Sequence, residues 1–125
     1  MTSSIASIAS VDPANAPDHF DESHWTDTNW ANLGAYEKSK TLAERAAWDF
    51  HKSLPEEERF GLSVVNPALV VGPTLIKTEF ASGKIINLFM NNQLPGGIPR
   101  LSIDLVDVRE VAQAHINCIE KDEAQ

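Results

Sequence analysis

The sequence lacks the features of several protein classes. Its single cysteine, Cys118, excludes a disulfide framework or a cysteine metal site. Basic residues are few: 10 Lys and Arg stand against 18 Asp and Glu, and the net charge of −8 argues against nucleic-acid or anionic-membrane partners. No apolar run approaches the ~20 residues of a membrane span, and no signal-peptide pattern follows Met1. We therefore expect a soluble, cytoplasmic protein.

The chain alternates strand and helix patterns. Its 125 residues suffice for one domain, and an apolar fraction of 42% permits a packed core. The patterns predict an irregular acidic loop over 11–33, helices over about 35–53 and 81–91, strands over Leu62–Val71 and Leu101–Val106, a turn over Pro95–Pro99, and a closing helix capped by Asp107. This alternation indicates an α/β fold with a parallel sheet. Because so few strands make a thin sheet, the chain looks like a piece of a larger fold.

The first long helix carries a pair of residues with a chemical use. Apolar residues recur at positions 42, 43, 46, 47 and 50, so the helix is amphipathic, and Tyr36 and Lys40 project side by side from one of its faces. A cation beside a phenol favours the phenolate, which allows proton transfer near neutral pH. The same spacing also occurs by chance, with the lysine solvated or paired with Glu44. The pair alone therefore leaves the function open.

The residue types also allow two other kinds of site. Ser4 with His19 or His24 and an aspartate could form a hydrolase triad, but no Gly-x-Ser-x-Gly elbow surrounds Ser4. The histidines and carboxylates between positions 18 and 24 could bind a metal, but their spacing matches no recognised ligand pattern. A solvated acidic loop is favoured, and no metal site is expected.

Five motifs in order resemble one family. They are Thr2–Ser4, Asp21–Asp27, Tyr36–Glu44, Asn66–Pro73 and Asp107–Ala112. Together they resemble the extended branch of the short-chain dehydrogenase/reductases, which includes dihydroflavonol reductases, cinnamoyl-CoA reductases and fungal methylglyoxal or aldehyde reductases. The resemblance covers essentially the whole chain. It implies a partial Rossmann-like fold, that is, part of a doubly wound parallel sheet.

The resemblance also implies that residues 1–125 form one partial NAD(P)-binding and catalytic domain. Residues 1–73 would be the catalytic Rossmann half, 74–100 the substrate-side segment, and 101–125 the returning strand and helix. The Gly-rich turn that cradles the pyrophosphate does not occur in the sequence. The chain is thus expected to correspond to an internal-to-C-terminal fragment that binds NADPH weakly or not at all alone.

The implied activity is NAD(P)H-dependent reduction of a carbonyl to an alcohol. Tyr36 would be the general acid, Lys40 would favour its phenolate and bind the nicotinamide ribose, and Ser4 would donate a hydrogen bond to the substrate oxygen. The implied cofactor contacts, besides Tyr36 and Lys40, are Pro67, Ala68, Leu69, Val70 and Ser82. NADP is expected rather than NAD, with a small carbonyl compound as substrate. The Tyr36 helix is a common dimer face in the superfamily, so a homodimer is also considered.

Two alternatives stay open at this point. The same tyrosine and lysine serve sugar-nucleotide epimerases, dehydratases and hydroxysteroid dehydrogenases, although the Leu69–Pro73 run and the Asp21–Asp27 loop favour a carbonyl reductase. The other alternative is a truncated, non-catalytic product that packs onto another protein through unpaired sheet edges.

Overall fold

A computed structural model describes residues 1–76, 80–98, 100 and 102–121. Within these residues lie three α-helices, two β-strands and three short 3₁₀ turns. The helices are α1 (Ala35–Ser53), α2 (Ala81–Met90) and α3 (Val108–Glu120), the strands are β1 (Leu69–Val71) and β2 (Leu105–Asp107), and the 3₁₀ turns are Ile5–Ser7, Pro13–Asn15 and Glu56–Glu58.

The two strands pair in parallel, as the alternation of elements predicts. Leu69 lies opposite Leu105, and Val71 lies opposite Asp107. Helix α2 lies between them in the sequence, which is the connection that parallel strands require.

The N-terminal segment pairs with the residues that precede β1. Thr2 and Val65 form an isolated parallel bridge, and the Ser3 amide donates to the Val65 carbonyl at 2.8 Å. The Ile5 amide then donates to the Pro67 carbonyl at 3.0 Å. With the parallel pair of β1 and β2, the predicted α/β fold with a parallel sheet is confirmed.

The predicted strands are longer than the observed ones. Of the predicted strand Leu62–Val71, only Leu69–Val71 forms a ladder with β2, and Val65 forms a single bridge. Pro67 lacks an N–H group, which accounts for the interruption between them. This segment is half-buried rather than buried. The second strand begins at Leu105, so the predicted residues 102–104 are not part of it, and position 101 lies outside the described residues.

The helix predictions agree closely with the structure. Helix α1 has the predicted bounds, and α2 ends one residue earlier than predicted. Asp107 caps α3 as predicted, since its carboxylate accepts a hydrogen bond from the Arg109 amide at 2.8 Å. In the predicted turn, the Gly97 amide donates to the Leu94 carbonyl at 2.9 Å. Position 99 lies outside the described residues.

Helix α1 contacts the rest of the chain through its polar face. Thr41 is completely buried and Glu44 is 6% exposed, where the helix packs against the Ile5–Ser7 turn. Leu42 and Phe50, on the apolar stripe, are 50% and 59% exposed. The stripe that makes this helix amphipathic therefore has no covering layer among the described residues.

The buried residues in the described part of the chain are all polar. They are Ser3, Ser4, Ser7, Thr26, Thr41 and Glu44. The packed apolar core that the composition permits is therefore not found in this part of the chain. A few short parallel segments with three helices form too few layers to enclose the apolar faces, and parallel sheets require both faces to be covered. Among the described helices, none has the length and apolar character needed to cross a membrane.

Candidate active site

Tyr36 and Lys40 lie next to each other on the first turns of α1. The Lys40 Nζ is 5.9 Å from the centre of the Tyr36 ring, within the range of a cation–π contact. Tyr36 is 57% exposed, so a ligand can approach its phenol. Lys40 lies beside the tyrosine rather than against Glu44, whose carboxylate is taken up by Ser7 and Asn66. The structure thus brings the phenol and the ammonium together.

Ser4 is buried at the start of the Ile5–Ser7 turn. Its Oγ accepts a hydrogen bond from the Ala6 amide at 3.2 Å and so caps the turn. Within the described part of the chain, no acceptor takes the Ser4 hydroxyl hydrogen. Because the turn packs against α1, Ser4 belongs to a segment in contact with the helix of Tyr36 and Lys40.

The predicted cofactor-binding residues other than Tyr36 and Lys40 lie on β1 and the segment that leads into it, and on the first turn of α2. Val70 and Ser82 line the same open, largely apolar cavity of 460 Å³. Other residues of its wall are Val71, Gly72, Pro73, Leu75, Phe80 and Val108. Pro67, Ala68 and Leu69 precede this cavity on the same segment and are half-buried. A ligand in the cavity would therefore lie against the end of β1 and the start of α2.

A larger cavity of 610 Å³ lies elsewhere on α1. Arg45, Trp48 and Trp25 contribute to its wall, and the Arg45 guanidinium lies 5.1 Å from the Trp25 ring. Tyr36, Lys40 and Ser4 do not line it. The wall of this cavity holds carboxylates and His24 but no hydroxyl group. We place the candidate site at Tyr36 and Lys40 because there an accessible phenol, which can transfer a proton, lies beside a cation.

Sequence reasoning missed a buried carboxylate. Glu44 Oε2 accepts hydrogen bonds from Ser7 Oγ at 2.6 Å and from Asn66 Nδ2 at 2.8 Å. Burial raises the pKa of Glu44, but hydrogen bonds from Ser3, Ser7 and Asn66 outweigh burial and hold it below its usual value. Glu44 is therefore ionised at neutral pH. In the sequence, Glu44 lies on the polar side of α1, which is expected to face solvent. The periodicity therefore does not predict that Glu44 is buried.

The acidic loop forms local hydrogen bonds. The Asp21 carboxylate accepts from the Ser23 hydroxyl at 2.6 Å and lies 2.8 Å from His24 Nδ1. Hydrogen bonds from Ser23, together with His24, lower the pKa of Asp21 to about 2. In the ranges that the structure describes, no group of three metal-binding side chains occurs. His24 is thus engaged with Asp21.

Comparison with known proteins finds reductases that are similar to this chain. No protein-family model matches the chain. It is 31% identical over 134 residues to the NADPH-dependent methylglyoxal reductase GRE2 of Saccharomyces cerevisiae, and 40% identical over 123 residues to the cinnamoyl-CoA reductase CAD2 of Medicago truncatula. The crystal structure of Gre2 from Candida albicans in complex with NADPH matches it with a TM-score of 0.71 and 34% identity. The chain thus resembles, over nearly its whole length, part of the extended short-chain dehydrogenase/reductases.

The chain covers only part of each relative. The matches span 98% and 93% of this chain but 39% of GRE2 and 35% of CAD2, and the structural match spans 99% of this chain and 40% of Gre2. The predicted resemblance to part of these reductases and the predicted partial Rossmann-like fold are confirmed. The roles of Ser4, Tyr36 and Lys40, and the cofactor contacts, stay predictions.

Proposed function

We propose that this chain carries the catalytic centre of an NADPH-dependent reductase that converts an aldehyde or ketone to an alcohol. The observation that carries the proposal is the adjacency of the Tyr36 phenol and the Lys40 ammonium on an accessible face of α1. The relatives named methylglyoxal reductase, cinnamoyl-CoA reductase and ketoreductase support a carbonyl substrate. They favour this reaction over epimerisation or dehydration.

The three side chains would divide the chemistry between them. The Tyr36 hydroxyl would protonate the carbonyl oxygen, and the Lys40 ammonium would stabilise the negative charge left on the phenol oxygen. The free hydroxyl hydrogen of Ser4 would be donated to the same carbonyl oxygen. Charge developing on that oxygen would then be stabilised by fixed donors, which lowers the barrier.

The residues present fit the nicotinamide end of NADPH. The apolar cavity at Val70, Phe80 and Ser82 suits the flat face of a nicotinamide ring, and the Lys40 ammonium offers donors for the ribose hydroxyls. When bound, NADPH would supply the hydride. NADPH is proposed rather than NADH because relatives are named as NADPH-dependent and the Gre2 structure is an NADPH complex. We also propose a cytoplasmic location, on the argument from the lone Cys118.

The test is a titration of the 125-residue chain with NADPH, followed by fluorescence and by far- and near-UV circular dichroism. NADPH consumption would then be measured with methylglyoxal and with simple aldehydes and ketones. Saturable binding to a folded chain together with turnover supports the proposal. Saturable NADPH binding without turnover of any carbonyl compound overturns the proposal. If NADPH does not bind, the proposal is overturned for the isolated 125-residue chain.

The exposed apolar surface supports a second candidate. Leu42, Phe50 and Ile119 are each at least half exposed, as expected for a non-catalytic product that packs onto another protein. The same titration separates the two, because such a product binds no NADPH and shows little near-UV signal until its partner is added.

A further inference from the structure

Glu44 is the most buried carboxylate in the described part of the chain, and the proposed chemistry does not use it. It lies on α1 one turn after Lys40 and two turns after Tyr36, with 6% of its surface exposed. Burying a charge is costly unless hydrogen bonds compensate. Here the compensation comes from hydrogen bonds from Ser3, from the Ser7 hydroxyl at 2.6 Å and from the Asn66 amide at 2.8 Å.

The Ser7 hydroxyl and the Asn66 amide also contact the backbone of Ser4. Ser7 Oγ lies 2.7 Å from the Ser4 carbonyl oxygen, and Asn66 Nδ2 lies 3.2 Å from it. Ser7 Oγ and Asn66 Nδ2 are 2.9 Å apart. The Ser7 hydroxyl has one hydrogen and the Asn66 amide has two, which equals the number of acceptor atoms: the Ser4 carbonyl oxygen, Glu44 Oε2 and Ser7 Oγ. No buried side-chain polar atom of the described residues lacks a partner.

This network joins the three segments that carry the candidate site. Ser4 and Ser7 lie on the N-terminal turn, Glu44 lies on the helix of Tyr36 and Lys40, and Asn66 directly precedes Pro67. We infer that Glu44 is a positioning residue, which fixes the Ser4 backbone relative to α1 through Ser7 and Asn66. The inference rests on the proposed function for its catalytic consequence, but its structural part can be tested independently.

The structural part is tested by amide hydrogen exchange in the full chain. The Ser7 amide donates to the Ser4 carbonyl at 2.9 Å, and the Thr26 amide donates to the Ser7 carbonyl at 2.9 Å. Glu44→Gln is expected to reduce the protection of these two amides about tenfold, because local opening then costs less free energy. Protection in α3 should be unchanged. Asp49→Asn, which removes an exposed charge from the same helix, is the matched control.

A second variant keeps the inference testable even if Glu44→Gln fails to fold. Ser7→Ala removes the hydroxyl that lies 2.6 Å from Glu44 Oε2 and 2.7 Å from the Ser4 carbonyl oxygen, and it leaves the Glu44 carboxylate in place. It is expected to reduce the protection of the amides at positions 7 and 26 to a similar extent, with α3 unchanged. Unchanged protection of these amides in either Glu44→Gln or Ser7→Ala would overturn the inference.

The catalytic part is tested with NADPH and methylglyoxal. Glu44→Gln is expected to lower kcat per folded molecule about 10- to 100-fold, since small displacements of a catalytic group have effects of this size. NADPH affinity should be unchanged, because Tyr36 and Lys40 remain on α1. Wild-type turnover with an unaffected kcat in Glu44→Gln overturns the inference and leaves the proposed function standing. Absent wild-type turnover overturns the function for this chain, and the exchange experiment still decides the role of Glu44.

Discussion

The ammonium of Lys40 lies 5.9 Å from the centre of the Tyr36 ring, one helical turn away along α1. This relationship follows directly from the spacing, because residues four apart on a helix are neighbours on its surface. It requires only that the helix form. The remaining parts of the candidate site, Ser4 and the end of β1, depend instead on contacts between segments far apart in sequence.

Replacing Tyr36 by Phe should remove turnover while leaving the fold and NADPH binding intact. The variant loses only the hydroxyl, and the ring keeps its contact with Lys40. We expect kcat to fall by about 10²–10⁴-fold, the usual contribution of a positioned general acid. Stopped-flow measurement of NADPH oxidation, beside a fluorescence titration of NADPH, gives both quantities. Activity close to wild type would exclude Tyr36 as the proton donor.

Replacing Lys40 by Met should reduce both turnover and NADPH affinity, because the ammonium is proposed to act on the phenol and on the ribose. The matched control is Lys38→Met, which removes an exposed lysine from the same helix turn. Steady-state kinetics of the two variants make the comparison. The role proposed for Lys40 requires a much larger loss for Lys40→Met, and equal losses would point to net charge instead.

The bounds of the helices were predictable because they depend on local signals. Helix α1 ends before Pro55, and α3 begins at an aspartate that caps it. The Tyr36–Lys40 pair was predictable for the same reason. The bounds of the strands were less predictable, because they depend on pairing between Leu69–Val71 and a segment more than thirty residues away.

The buried face of α1 could not be predicted from the sequence. Periodicity identifies the stripe of Leu42 and Phe50, and apolar stripes usually face the core. The structure buries Thr41 and Glu44 instead, since the Ser7 hydroxyl and the Asn66 amide bind Glu44. Sequence patterns carry no information on such non-local hydrogen bonds, and so the network around Ser4 was missed.

Replacing Gly72 by Ala should destabilise the junction of β1, β2 and α3. Gly72 has φ +127°, and a Cβ there would lie 3.0 Å from Val108 Cγ1 and 3.3 Å from Asp107 Oδ1. We expect a loss of about 1–3 kcal/mol in the free energy of unfolding, the usual cost of a side chain in this backbone region. Urea titration followed by circular dichroism measures it.

Gly96→Ala is the matched control for this substitution. A Cβ on Gly96 has open space around it, with no atom within 4 Å. The midpoint of urea unfolding should be the same for Gly96→Ala as for wild type. If both variants unfold together, steric strain at Gly72 is not the cause.

Acid should weaken the start of α3 through Asp107. Hydrogen bonds from the Arg109 side chain and amide lower the pKa of Asp107 to about 2, from an ordinary value of 3.8. The folded state therefore binds fewer protons than the unfolded state between these two values, and stability rises with pH there. The contribution is complete above about pH 4, and it is lost as the pH falls through about 2.

NMR titration of the Asp107 carboxyl carbon, with the amide shifts of α3, measures this effect. Asp107→Asn keeps an N-cap side chain but cannot ionise, so the acid-dependent fraying of α3 should disappear in it. Asp107→Ala loses the cap and should fray at every pH. Identical acid fraying in Asp107→Asn and wild type would assign the effect to another group.

The apolar stripe of α1 should drive self-association of the chain. Leu42 and Phe50 are 50% and 59% exposed. Fully burying such a side chain contributes about 1.5–3 kcal/mol, so covering the exposed half of both contributes about 1.5–3 kcal/mol in all. The Leu42→Gln/Phe50→Gln variant should therefore dissociate at concentrations about 10- to 100-fold higher than wild type, with α1 still helical. Leu75→Gln is the control, since Leu75 is fully exposed outside the helices and its replacement should change little. Sedimentation velocity over a concentration series distinguishes them: a wild-type chain that stays monomeric throughout means that the stripe alone does not support a dimer.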